Sequence, residues 1–200
     1  MTFEIKEDGL MRKLLMFNNI TLDGYFTDSN NDMSWAHKNA DEESNKFASE
    51  NASGGGVLLF GRKTYDLMVS FWPTKQAYES MPKVAEGMNN HPKVVFSRTM
   101  DKATWNNTRV VKDDIVEEVR RMKSEPGPGL VVMGSGTIVS QLTQARLIDE
   151  YQFIVHPLVL GSGRTLFEGV KDQLPLKRIN SRTFKNGNVL LTYAATDTTD

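Results

Sequence analysis

Two hundred residues and 22.5 kDa amount to one domain, large enough to bury roughly 70% of the surface its unfolded chain exposes. With 24 Lys+Arg against 25 Asp+Glu the net charge is −1, which supplies none of the positive field used in nonspecific nucleic-acid or anionic-membrane binding, so neither partner is expected. The absence of cysteine excludes disulfide scaffolds, thiolate zinc, iron–sulfur clusters and thiol nucleophiles, and it fits a cytoplasmic protein.

Met1–Leu10 is polar and carries Glu4, Glu7 and Asp8 where a secretory leader has basic residues before an apolar run. These ten residues read as an N-terminal extension, with a single domain over 11–195 and a frayed tail over 196–200. Leu14–Phe17 with Ile20 and Leu22 reads as a buried strand that breaks at Asp23-Gly24, and Thr27–Asn39 as a long polar loop anchored by Trp35. A helix is expected over Asp41–Asn51, a buried strand at Val57–Phe60 ending at Gly61, and a helix over Arg62–Val69. Val94–Phe96 and Arg109–Val111 are strands, Asp113–Lys123 an acid-started helix, Leu130–Met133 a buried strand and Thr137–Ala145 a helix. Tyr151–Val155, Arg178–Phe184 and Val189–Tyr193 are strand-like with no helix between them, and Asn186-Gly187 signals a hairpin. The alternation predicts an α/β fold: a mostly parallel sheet with an antiparallel C-terminal edge and helices on both faces. Tyr151–Val155 and Val189–Tyr193 are candidates for an interface as much as for core.

Three strand ends carry the chemistry. At Phe60-Gly61-Arg62-Lys63-Thr64 a strand ends at glycine and a helix opens with two cations and a hydroxyl, a place where backbone N–H groups and the helix dipole favour a phosphate. At Phe96-Ser97-Arg98 a hydroxyl and a guanidinium stand at the carboxyl edge of the same sheet, a pair suited to a sugar phosphate such as the 2′-phosphate of NADP. At Met133-Gly134-Ser135-Gly136-Thr137 small residues again separate strand from helix and admit close approach of a ligand. Gly161-Ser162-Gly163-Arg164 reads as a mobile crossover loop. His37, His91 and His156 have no ligand-like spacing, so no metal site is expected. Trp35, Phe71 and Trp72 are either core or an aromatic wall for a flat ligand. Asp23 and Asp41 are the candidate proton donors, against the alternative that acids at such positions are caps.

In order and spacing, Thr21-Leu22-Asp23-Gly24-Tyr25, Gly61-Arg62-Lys63-Thr64-Tyr65 with Trp72-Pro73, Val95-Phe96-Ser97-Arg98, Gly134-Ser135-Gly136 and Leu160-Gly161-Ser162-Gly163 resemble the dihydrofolate reductase-like superfamily. Over about residues 11–194 the chain looks like stand-alone relatives of the C-terminal reductase domain of the bifunctional riboflavin-pathway deaminase-reductase, the RibD C-terminal family. The resemblance implies a homodimer with an eight-stranded sheet that binds NADPH across its carboxyl edge. Gly61, Arg62, Lys63 and Thr64 would hold the phosphates, Ser97 and Arg98 the adenosine 2′-phosphate, and Gly134, Ser135, Gly136 and Thr137 the pyrophosphate and nicotinamide side. The implied activity is NADPH-dependent reduction of a small planar substrate, as in 5-amino-6-(5-phosphoribosylamino)uracil reductase. The alternatives are a nucleotide-binding regulator without turnover and a dihydrofolate reductase. Tyr25 departs from the lysine that riboflavin-pathway reductases carry after Leu-Asp-Gly to bind the ribose phosphate.

Overall fold

The run Leu14–Thr21 alternates its side chains between two sheet faces, Leu14, Met16 and Asn18 toward one and Leu15, Phe17 and Asn19 toward the other, and both faces are covered. This strand, β1, is central in the computed structural model, which describes residues 11–196. The expected extension at 1–10 and nearly all of the expected tail lie outside the described residues. After β1 come β2 (Tyr25–Thr27), a 3-10 turn (Ser34–His37), α1 (Glu42–Ala52), β3 (Val57–Gly61), α2 (Arg62–Phe71), α3 (Lys75–Ser80), α4 (Pro82–Asn90) and β4 (Lys93–Phe96). Then follow β5 (Thr108–Val111), α5 (Ile115–Ser124), β6 (Leu130–Val132), α6 (Gly136–Gln144), β7 (Glu150–His156), β8 (Arg164–Thr165), β9 (Leu176–Thr183) and β10 (Val189–Ala195).

Eight strands form one sheet in the order β5-β4-β3-β6-β1-β7-β10-β9. The pairs from β5 to β7 are parallel, and β10 and β9 add antiparallel at one end, as the sequence predicts. Two apolar cores sandwich the sheet. On one side Val119 and Met122 of α5 and Ile138 and Leu142 of α6 pack against Leu14, Met16 and Leu59. On the other, Tyr65, Trp72, Val84 and Met88 from α2 to α4 pack against Leu58, Phe60 and Val95.

Four expectations change. The chain from Trp72 to Pro92 contains α3 and α4, where no element was predicted. Asp41 and Asp114 stand outside α1 and α5 as their N-caps. Gly161–Arg164 is not a free loop: Gly161 donates to Asp23 at 2.8 Å, and Arg164–Thr165 pairs with Tyr25–Thr27 as a second, two-stranded sheet. The late strands β7 and β10 lie inside the sheet, with Tyr151, Phe153 and Leu190 buried, and the open edge is the exposed, Lys177-, Arg178- and Arg182-bearing β9. Among the described residues no helix is long and apolar enough to cross a membrane.

Candidate functional site

The parallel strands β4, β3, β6 and β1 lie side by side and present their carboxyl ends along one edge. At ~4.8 Å between neighbours, that edge spans roughly 14 Å. The turns after β3 and β6 interlock there. Gly61 N donates to Gly134 O at 2.9 Å, and a Cβ on Gly61 would sit 2.6 Å from Ser135 Oγ and 3.2 Å from Ser135 N, so a side chain here would force the Ser135 hydroxyl aside. From these turns α2 and α6 begin at Gly61 and Ser135, neither of which caps its helix with a side chain. Asp41, Thr74 and Asp114 do cap α1, α3 and α5. In α6 Ile138 N is spent on Ser135 O at 3.0 Å, but the N–H groups ahead of it, like those that open α2, have no side-chain cap, an arrangement that suits a pyrophosphate. Thr64 is half-buried beside Gly134, its Oγ1 3.2 Å from where a Gly134 Cβ would stand, and Thr137 is exposed on the first turn of α6. Of the two predicted cations, Arg62 pairs with Asp66 at 2.7 Å, whereas Lys63 forms no ion pair with any described residue. Gly136 is buried against Phe26.

Ser97 and Arg98 are not brought to these turns. They open a separate cleft of about 270 Å³ between the ends of β4 and β5 and the start of α5. Ser97 Oγ accepts from Met100 N at 3.1 Å, which leaves its hydroxyl hydrogen to donate, and Arg98 is exposed. Lys112 joins the cleft as a second cation, paired with Asp101 at 2.6 Å in solvent. Sequence reasoning missed Lys112, although it follows its strand as Ser97 follows β4.

A larger cavity, about 550 Å³, lies under α1 on the side of the sheet that Leu15, Phe17 and Asn19 face. No residue of α1 is fully buried: Ser44, Phe47, Ala48 and Asn51 form the cavity roof, and Ala48 and Ala52 also pack half-buried against the core of α2 and α4. The helix is tethered instead at the β9–β10 hairpin: Glu43 accepts from Arg182 at 2.7 Å and from Lys185 N at 3.0 Å, and Phe47 meets Phe184 edge-on at 5.4 Å. Phe71 and Trp72 line one wall, and Asn19, Met133 and His156 carry the floor to the carboxyl edge. Trp35 is buried and packs edge-on against His156 at 5.2 Å. His156 Nε2 lies 2.9 Å from Asn19 Oδ1, so with that amide orientation Nε2 carries the proton and Nδ1 is the acceptor. Burial, reinforced by His37, lowers the His156 pKa to about 4, and the ring is neutral at pH 7. His37, His91 and His156, unrelated by spacing in sequence, all line this one cavity. Among the described residues no group of three or more potential metal ligands forms.

The two acids expected to give protons are both engaged. Asp23 accepts from Thr21 Oγ1 at 2.6 Å, Gly161 N at 2.8 Å and Leu160 N at 3.1 Å, tying the turn after β1 to the loop after β7. Asp41 accepts from Ser44 N at 2.8 Å in a capping box. The Thr21 hydroxyl and the backbone N–H groups hold Asp23 below the usual carboxylate range, and the Ser44 N–H and hydroxyl do the same for Asp41. Both are thus held ionised, which opposes the donor role, and neither lines the cavity.

Known proteins share this fold. The family model described as RibD C-terminal domain matches residues 12–190. YyaP of Bacillus subtilis (strain 168), an uncharacterized protein, is 30% identical over 182 residues, 91% of this chain and 94% of its own. Among solved structures, a protein assigned to riboflavin biosynthesis in Shewanella sp. PV-4 superposes with a TM-score of 0.70 at 23% identity, covering 92% of this chain and 99% of that one. Dihydrofolate reductase from Enterococcus faecalis, solved with NADP(H), superposes with a TM-score of 0.65 at 15% identity, covering 94% of this chain and 99% of that one. These two fix the fold as dihydrofolate reductase-like. With a family model spanning nearly the whole described domain, the chain belongs to the RibD C-terminal domain family.

Proposed function

We propose that the protein is an NADPH-dependent reductase acting on a small planar substrate held in the α1 cavity. The observation that carries this reading is the pair of uncapped helix starts at Gly61 and Ser135, which are joined through Gly134, directly after Met133 of the cavity floor. Gly61–Thr64 and Gly134–Thr137 would hold the pyrophosphate. Ser97, Arg98 and Lys112 would hold a 2′-phosphate through charge-assisted contacts. When bound, the cofactor supplies a hydride, and its nicotinamide belongs where the edge and the cavity meet. The Asn19–His156 pair orients a substrate there by hydrogen bonding. With Asp23 and Asp41 held ionised, the balancing proton comes from water at the cavity mouth.

Thermal-shift and calorimetric titrations with NADPH and NADH test the cofactor directly, because a ligand that binds only the folded state raises its stability by mass action. NADPH is expected to bind more tightly than NADH. Arg98→Ala should weaken NADPH roughly ten- to a hundredfold, the worth of one charge-assisted phosphate contact, and leave NADH unchanged. Oxidation of NADPH is then followed with 5-amino-6-(5-phosphoribosylamino)uracil reductase substrate, dihydrofolate and a panel of planar carbonyl and imine compounds. No shift with either nucleotide sinks the reading. Binding without turnover across the panel turns it into the regulatory alternative, which the two engaged acids favour.

A further inference from the structure

We infer that the α1 cavity takes an uncharged, planar, largely apolar ligand with one polar edge, and discriminates against a ligand that bears a phosphate. As a claim about substrate this rests on the reductase reading; as a claim about what the cavity binds it does not.

The lining carries the inference. No lysine or arginine lines the 550 Å³ space, and its one carboxylate is Asp32. Bonds from the Ser34 hydroxyl and N–H hold Asp32 below the usual carboxylate range, so a negative charge stands at the wall. Lys38 acts on Asp32 electrostatically but lies outside the lining. The walls are ring and thioether surface: Phe17, Phe47, Met68, Phe71, Trp72 and Met133. A phosphate carried into this space would lose water against ring and thioether surface and find no lysine or arginine to replace it, while Asp32, exposed to solvent, adds only a screened repulsion. The cleft at the end of β4 differs in holding two cations, Arg98 and Lys112, beside the carboxylates Asp113 and Asp114.

A second observation points to a ligand. Asn188 lines the cavity and is 4% exposed, its Oδ1 is buried without a partner, and its side-chain amide bonds to no described residue. Buried amides are normally satisfied by the protein; the Oδ1 is sealed from the cavity, and the unbonded amide nitrogen is what is left to donate to whatever fills it. Val189 pairs with Val155, so Asn188 lies beside His156, and together with Asn19 they make one polar edge at the carboxyl ends of β1 and β7. The fitting ligand is therefore a neutral ring system of two or three fused rings with a hydroxyl, amino or amide group at its rim.

The probes are 1-naphthol, neutral at pH 7, and 1-naphthyl phosphate, the same ring with the charge added. Affinity of 1-naphthol is read by calorimetry, and that of the ester by its displacement of 1-naphthol, so that only occupancy of the cavity counts. Binding of 1-naphthol at least tenfold tighter than the ester is expected. Ala48→Trp, at a half-buried roof position that also touches the core, should abolish 1-naphthol binding, with a cooperative melting transition showing that the variant is folded. An ester that binds as well as 1-naphthol overturns the inference, as does failure of 1-naphthol to bind, or binding that Ala48→Trp leaves unchanged. A parallel NADPH titration separates the two claims: NADPH bound with no preference for 1-naphthol overturns this one alone, and the preference intact without NADPH binding overturns the reductase reading alone.

Discussion

Lys93 is 1% exposed, yet its Nζ donates to three carbonyls, Met88 at 2.8 Å, Asn89 at 3.0 Å and His91 at 2.7 Å, and lies 4.6 Å from the Trp105 ring centroid. These carbonyls end α4, where a helix has acceptors without intrahelical partners and a negative dipole end. Burial pushes the Lys93 pKa down to about 8, so at pH 7 it remains mostly charged and completes the helix terminus from the neighbouring strand. Lys93→Met keeps the length and apolar stem but removes every donor. Urea unfolding is expected to show a loss of about 2 kcal/mol, the scale of buried acceptors left unmade. A loss within 0.5 kcal/mol, on the order of an ordinary surface substitution, would mean that water replaces the ammonium. The same principle governs the two candidate acids. Asp23 and Asp41 advertise reactive carboxylates in sequence, but their local turns supply N–H groups at hydrogen-bonding distance, and such groups are spent before a substrate arrives.

At the scale of elements, the two-stranded ribbon of β2 and β8 holds the carboxyl-edge loops together. Gly163 approaches Thr27 so closely that a Cβ would stand 2.1 Å from its carbonyl oxygen, a backbone contact that no rotamer change relieves. Gly163→Ala should therefore open the ribbon, with a loss of about 2 kcal/mol or more and faster amide exchange at Tyr25–Thr27. Unchanged exchange would show that the ribbon contributes nothing to the fold. This ribbon was not readable from the sequence, because strands of three and two residues are too short to display an alternation. The long strands and α1, α2, α5 and α6 were readable, since each carries a local apolar period and a cap or glycine at its end. The helix α4 had its signal too, with Pro82 at its first turn and Met81, Val84, Ala85 and Met88 at helical spacing, but the polar α3 before it obscured the pattern. The glycine turns were likewise visible as local composition at strand ends. The cavity was not, because its lining comes from short pieces of α1, α2, α4, β1, β6, β7 and the hairpin, which only the assembled sheet brings together.

At the scale of the whole molecule, the sheet separates two environments: a charged cleft at the end of β4, lined by Arg98, Lys112, Asp113 and Asp114, and an apolar cavity beneath α1 lined by no lysine or arginine. His156, 5% exposed on the cavity floor, couples that second environment to folding. Its folded-state pKa is about 4, lowered by burial first and by His37 second, against about 6.5 in an unfolded chain. Between those values the unfolded state binds a proton that the folded state refuses. Stability is therefore fully present above pH 6.5 and declines as pH falls toward 4, by about 3 kcal/mol in all. The carboxylates with lowered pKa values, Asp23, Asp32 and Asp41 among them, add their own losses at more acid pH, so most of the histidine's share is taken before theirs is complete. His156→Gln keeps an N–H donor within reach of Asn19 and removes the titration. Urea unfolding of both proteins from pH 7 to pH 4 should show the stability difference, wild type minus variant, falling by about 3 kcal/mol as the solution is acidified. A difference constant across that range would mean that His156 takes up its proton as readily folded as unfolded, and the cavity floor would then be wet and able to hold a charge. That outcome would also weaken the case for a neutral ligand, since a protonated His156 would give the cavity the cation it otherwise lacks.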